Sequence, residues 1–207
     1  MVDDLPSAKI DRDRLGHLTS NHQADRLQLL DRYASCFSER AGFCNIVEHK
    51  IDVNSDFKPK KFKAYKILKV LKPEVDKQID EMLIRRSDSP MASPMVCVIK
   101  RDKSVRIVVD YRYVNSFCTT DPFPIQNIDD VKLKVGRSNF ITVADANSGY
   151  WQIPVRREYQ WLTGFTTHRG AFESFRAPFG LKNSGSTFVR AVELILGPVK
   201  GFTDIVR

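Results

Sequence analysis

No run in these 207 residues approaches the ~20 consecutive apolar positions that a bilayer-spanning helix needs, so no such helix is expected within them. The amino terminus, "MVDDLPSAKIDRDR", lacks the apolar core of a secretory signal. The four cysteines, at 36, 44, 97 and 118, form no Cys-x-x-Cys pair, and the four histidines follow no metal-ligand spacing. A disulfide scaffold and a zinc module are therefore not expected. Free thiols in a reducing, intracellular compartment (cytoplasm or nucleus) are. Internal repeats and low-complexity tracts are missing too. What remains is a chain with 42% apolar residues, enough for one domain with a real core, or one domain plus an extension.

Charge is the first positive signal. The net charge is +8, and residues 58–103 hold thirteen Lys or Arg against six Asp or Glu. Nearly all the surplus thus lies in under a quarter of the chain. A basic stripe of this kind suits a polyanion, nucleic acid first, although a solvated face has the same composition.

Residues 1–23 read as a polar leader and 24–37 as a helix, with Leu27, Leu30, Ala34 and Phe37 at helical spacing. "IVEHKIDV" (46–53) has the look of a strand. The spacing predicts a helix over 72–86, opened by Pro73 and closed by Arg85 and Arg86, with Leu71, Val75, Ile79, Met82 and Leu83 as its apolar stripe. "MVCVIK" (95–100) and "VRIVVDY" (105–111) flank "RDKS" as a hairpin, and "LTGFTT" with "AFESFRA" form a second one. "NIDDVKLKV" (127–135) reads as a short helix. "NFITVAD" (139–145) and "YWQIPV" (150–155) read as strands around "ANSG", and "TFVRAVELIL" (187–196) as a helix stopped by Gly197-Pro198. Helices mixed with antiparallel hairpins, and no series of βαβ units, imply an α+β fold.

Asp145 sits at the end of an apolar run. By itself an Asp before Asn-Ser-Gly is a turn residue. Here the run before it, "FITVA", is apolar enough for a central strand. Gly149 and Tyr150 follow closely, and a hairpin carrying Lys100 and Arg106 precedes it. A carboxylate, an aromatic and phosphate-holding cations together suit metal-assisted phosphoryl transfer on a nucleic acid.

The ordered series "KQIDEMLIRRSDSPMASPMVCVIKRDKSVRIVVDYRYVN", "FPIQNIDDV", "DANSGYWQIPV" and "TGFTTHRGAFESFRAPFGLKNSGSTFVR" resembles the reverse transcriptase domain of gypsy-like long-terminal-repeat retrotransposon polyproteins, over about residues 27–203. The resemblance implies a right-hand polymerase. Residues 1–57 would be a leader or linker, 58–135 the fingers, and 136–207 part of the palm. It implies that Asp145, helped by the Ala146 carbonyl, binds Mg²⁺ (or Mn²⁺) as the catalytic carboxylate. Lys100 and Arg106 would grip a deoxynucleoside triphosphate, and Tyr150 would lie beneath its sugar and reject a 2′-hydroxyl. Phe179 and Gly180 would pack on base and template, and Arg190 would touch template phosphate, or else be a surface arginine. The implied partners are an RNA or DNA template-primer and deoxynucleoside triphosphates. Asp110 and Arg112 are expected to be a structural pair. The family has Asn-Ala-Pro in many members where this chain has Asn183-Ser184-Gly185, which leaves the start of the last helix open.

Two divalent ions need more than one carboxylate. The family supplies the rest from a Tyr-x-Asp-Asp hairpin, and no Asp-Asp pair follows Asp145 within the 207 residues. The expectation is a reverse transcriptase fragment that does not polymerise alone. The alternative is a non-enzymatic nucleic-acid-binding or inert relic of a transposable element.

Overall fold

Leu27 and Leu30 fall within helix α1 (Ser20–Arg32), which has no buried residue and is followed by a short 3₁₀ turn at Ala34–Cys36. The structure is a computed structural model that describes residues 18–37, 41–124, 127–137 and 141–199. These residues form two units. One comprises the described part of Met1–Gly42 with Ala144–Ser148, the other the described part of Phe43–Val143 and Gly149–Arg207. Residues 1–17 of the leader expected at 1–23 lie outside the described residues, and Ser20–Gln23 are instead the first turn of α1.

The larger unit begins with an extended segment whose burial has a period of two. Val47, His49, Ile51 and Val53 are turned inward, while Ile46, Glu48, Lys50 and Asp52 are exposed. This alternation is what the sequence predicts for a strand, but the segment pairs only through isolated bridges, His49 with Val155 and Val53 with Cys118. His49 and Ile51 are nevertheless fully buried. The larger unit starts at Phe43.

Helix α2 (Lys72–Glu81) opens on Pro73 with Glu74 in its first turn, and it buries Val75 and Ile79. It ends five residues before Arg86. Met82 turns extended, and Ile84–Arg86 become strand β1. Tertiary pairing overrides the helical periodicity here. Arg85 lies opposite Glu173 of the last strand, and its guanidinium meets that buried carboxylate at 2.7 Å. Strands β2 (Ser93–Ile99) and β3 (Val105–Val109) form the expected hairpin, with Met95 opposite Val109 and Val98 opposite Arg106. A helix the sequence reading did not anticipate, α3 (Arg112–Phe117), follows at once. Its Tyr113 and Phe117 rings pack with Phe57, and Phe57 also meets Trp161. Helix α4 (Ile128–Val135) forms where expected.

The expected strand at 139–145 is corrected. Residues 139 and 140 lie outside the described residues. Residues 141–146 form no strand, and Ile141 and Val143 are 57% and 87% exposed. An apolar alternation makes a strand only where a sheet receives it, and these residues have no strand partner among the described residues. "YWQIPV" is corrected as well: Gly149–Gln152 is a 3₁₀ turn, with bridges at Pro154 and Val155 after it.

After a further 3₁₀ segment (Arg157–Thr163), β4 (Phe165–Thr167) and β5 (Gly170–Ser174) form the second hairpin around His168-Arg169, with Gly170 at φ 123°. The five strands lie in the order β1-β5-β4-β2-β3, parallel only between β2 and β4. Helix α5 (Ser184–Leu196) starts three residues earlier than expected. Ser184, Gly185, Ser186 and Thr187 are all buried, and small side chains suit that close approach.

Candidate functional site

The β2–β3 turn is built from its own side chains. Asp102 accepts from the Ser104 amide at 2.9 Å and from its hydroxyl at 2.7 Å, and these bonds hold its carboxyl below the usual carboxylate range. The Lys100 amide donates to the Ser104 carbonyl at 2.8 Å, and Lys103 takes the left-handed conformation at φ 67°. Lys100, Arg101, Lys103 and Arg106 are all exposed, so one short hairpin end displays four cations around a carboxylate already engaged by Ser104.

Arg106 reaches from β3 to the 178–183 loop, where its guanidinium carbon lies 5.6 Å from the centre of the Phe179 ring. Tyr150 lies 5.3 Å from Phe179 and meets Phe188 edge-on at 5.6 Å, and Trp151 lies 6.0 Å from Phe179. The structure thus brings together three residues named from the sequence, Arg106, Tyr150 and Phe179, and adds Trp151 and Phe188. Gly149 makes that packing possible, because a Cβ there would sit 2.6 Å from the Phe188 ring. Beside the cluster is a pocket of about 260 Å³ between α2, β3 and the loop, lined by Gln78, Met82, Arg106, Val109, Trp151 and Phe179.

The loop is tied down by residues that sequence reasoning missed. The Asn115 amide donates to the Gly180 carbonyl and accepts from the Lys182 amide, each at 2.8 Å. Gly180 needs its own lack of a side chain, since its φ is 88°. Asn183, left-handed at φ 70°, donates to the Thr119 carbonyl and accepts from the Asp121 amide. The available signal was two asparagines ending the "DYRYVN" and "FGLKN" stretches, since Asn tolerates left-handed backbone and can bridge two chain segments.

Arg190 has partners within the fold. It makes two bonds to the Asp121 carboxylate, at 2.7 and 3.0 Å, and stacks 4.5 Å from the Phe123 ring centre. Asp110 and Arg112 pair as expected, at 2.6 Å. That hydrogen-bonded guanidinium holds the Asp110 carboxyl below its ordinary range. His49, fully buried, faces the Thr187 hydroxyl at 2.9 Å. Burial pulls its pKa down to about 4, with Asp121 and then Asp52 opposing that shift. Tyr111, equally buried, has its phenol pushed up by burial and donates to the Thr163 carbonyl at 2.9 Å.

Asp145 and Ala146 belong to the other unit, in its exposed 144–148 segment. Among the described residues no three or more His, Cys, Asp or Glu side chains converge as a metal site. One exposed carboxylate with a neighbouring carbonyl does not have the charge to hold two divalent cations. The described residues therefore do not fit a complete two-ion centre.

A family model described as reverse transcriptase (RNA-dependent DNA polymerase) matches residues 98–206, a span that includes every site residue named above from Lys100 to Arg190. The chain is 32% identical over 198 residues to the retrovirus-related Pol polyprotein from transposon 297 of Drosophila melanogaster, covering 90% of this chain and 19% of that one. It is 32% identical over 151 residues to the Pol polyprotein from transposon gypsy of the same organism, covering 68% of this chain and 15% of that one. The chain thus spans a fifth or less of the length of these relatives. The crystal structure of the prototype foamy virus protease-reverse transcriptase superposes with a TM-score of 0.77 at 24% identity, over 91% of this chain and 26% of that one. A foamy viral protease-reverse transcriptase in complex with an RNA/DNA hybrid superposes equally well, at 23% identity, over 94% of this chain and 28% of that one. At such identities the likeness establishes the fold.

Proposed function

The chain belongs to the reverse transcriptase (RNA-dependent DNA polymerase) family, and from that premise we propose that its β2–β3 hairpin and Phe179 loop form the incoming-nucleotide face of a retrotransposon polymerase. The observation that carries this reading is the joining of Arg106, Phe179 and Tyr150 beneath an exposed basic turn. The exposed Lys100 and Arg106 are suited to a triphosphate, Arg106 adding directed hydrogen bonds from its planar fork. Tyr150, held between Phe179 and Phe188, is a rigid ring suited to lie under a deoxyribose. Gly180 and the Phe179 ring offer a surface for a base. Arg190, engaged by Asp121, is better placed to brace the 121–123 segment than to meet a template phosphate, for which it would have to leave its partner.

The family chemistry proposed for the whole polyprotein is attack of a primer 3′-hydroxyl on the α-phosphate of a deoxynucleoside triphosphate, with Asp145 and Ala146 contributing to a Mg²⁺ or Mn²⁺ site. Those two residues alone do not complete such a site, so a polypeptide of these 207 residues is not expected to extend a primer. Primer extension on a homopolymer template with Mg²⁺ or Mn²⁺ tests this. Metal-dependent extension abolished by Asp145→Asn would overturn the proposal. Nucleotide capture is tested separately: Arg106→Ala should weaken dTTP binding by about tenfold, as expected for loss of a charge-assisted contact.

A second reading has its own observation. Lysines 58, 60, 61, 63, 66, 69 and 72 are all exposed, and none pairs with a carboxylate among the described residues. Lys60 lies over the Phe62 ring, 4.8 Å from its centre. Such a segment suits nucleic-acid binding without catalysis. Affinity for a single-stranded oligonucleotide should fall steeply with salt, and a flat titration would count against this reading.

A further inference from the structure

Strand β3 is an edge strand, so one of its two hydrogen-bonding sides has no strand neighbour among the described residues. Open edges leave backbone donors and acceptors unpaired and weakly ordered. Here a side chain fills the gap. Gln78, on α2, donates from Nε2 to the Val105 carbonyl at 2.7 Å and accepts at Oε1 from the Ile107 amide at 3.2 Å. Its second Nε2 hydrogen goes to Glu74 Oε1 at 2.8 Å, one helical turn earlier. A primary amide presents the same donor and acceptor as a peptide group. Gln78 therefore stands in for the missing strand at two backbone groups, and these belong to the residues on either side of Arg106.

We propose that Gln78 is a positioning residue for nucleotide capture: by pinning the backbone on both sides of Arg106 it sets how the guanidinium meets the Phe179 ring and the triphosphate. The inference rests on the assignment of Arg106 made under Proposed function. Helix α2 does not need Gln78 for its own attachment, because Val75 and Ile79 already bury its inner face. The pocket shared by Gln78, Met82, Arg106 and Trp151 leaves β3 room to shift beside Arg106 once the amide is removed. A charged residue would serve a solvated helix position equally well; only a side chain carrying both donor and acceptor can bracket a strand residue in this way.

The full chain tests this with Gln78→Leu, which keeps the bulk and removes both bonds, and Gln78→Glu, which keeps only the bond from Ile107. In the wild type, the Ile107 amide should exchange with solvent as slowly as a paired strand amide, and in Gln78→Leu at least about tenfold faster. The Arg106 Nε–H resonance, shifted by the Phe179 ring, should move toward its free position in Gln78→Leu and less so in Gln78→Glu. Affinity for dTTP should fall about fivefold or more in Gln78→Leu, with the melting temperature lower by only a few degrees as two backbone groups lose their bonds. Fast Ile107 exchange in the wild type overturns the proposal without recourse to any variant. So does an unmoved Arg106 resonance in folded Gln78→Leu, or unchanged dTTP affinity where Arg106→Ala weakens it. If Arg106→Ala leaves dTTP affinity unchanged, the assignment of Arg106 to the triphosphate fails and the capture role of Gln78 falls with it, while the Arg106 resonance still shows whether Gln78 positions the side chain.

Discussion

Two short connectors carry residues of the proposed site, and they are built differently. The 178–183 loop is tied at Gly180 and Lys182 by Asn115, and at Asn183 by Thr119 and Asp121, and its Phe179 ring lies against Tyr150, Trp151 and Arg106. The 144–148 segment, with Asp145, is mostly exposed, and within it the Ser148 hydroxyl bonds the Asn147 side chain at 3.3 Å. The 178–183 loop is preorganised by tertiary contacts, whereas the Asp145 carboxylate sits on an exposed segment just before a turn. Preorganisation is what makes a binding surface effective, since little order remains to be created when the ligand arrives.

The largest expected effect comes from breaking the organised side at its base. A Cβ at Gly164 would overlap the Met91 carbonyl oxygen, next to where the Ser93 amide bonds Gly164 at 2.7 Å. Gly164→Ala should cost about 3 kcal/mol or more, because backbone, not a flexible side chain, stands in the way; chemical denaturation measures it. Acid should strike the same unit through His49. Its pKa is about 4 in the fold against 6.5 for an ordinary imidazole, so the unfolded chain binds the extra proton first as pH falls. The stability is fully present above about pH 6.5 and declines down to about pH 4, by about 3 kcal/mol in total. His49→Gln should flatten that part of the pH profile in a denaturant titration series. Asn115→Ala leaves the Gly180 carbonyl and the Lys182 amide without their bonds, and should cost about 1–2 kcal/mol, with loosening at Phe179 visible as a change in Tyr150 and Trp151 fluorescence. The smallest effect sharpens the contrast: Asp145→Asn, on an exposed irregular segment, should change stability by no more than about 0.5 kcal/mol. A loss of several kcal/mol there would show that Asp145 is held by the fold and that the two connectors are alike.

Much of this architecture is legible in the chain itself. Both hairpins, the first turns of α2 and the body of α5 follow from local periodicity, Pro73 and the turn residues, because each is stabilised by contacts close in sequence. Strand β1 is not legible. Its partner in β5 is far along the chain, with Arg85 and Glu173 separated by 88 positions, and helical spacing continues straight through it. Nor is α3, whose two rings pack on Phe57, with Phe62 also against Tyr113. The exposed "ITVA" run shows the converse failure, a strand pattern with no sheet to join among the described residues.

The site divides along the same line. Family membership and the residue types at Lys100, Arg106, Asp145, Tyr150 and Phe179 are written in the ordered motifs, since chemistry is a property of side chains. So is the count of carboxylates, which no folding of these residues can change. The tertiary structure alone decided that Arg106 meets Phe179, that Asn115 and Asn183 tie the loop, that Arg190 is spent on Asp121, and that an amide from α2 completes the edge of β3. Those outcomes depend on which distant groups are brought within hydrogen-bond reach, and only the packing of the core sets those distances.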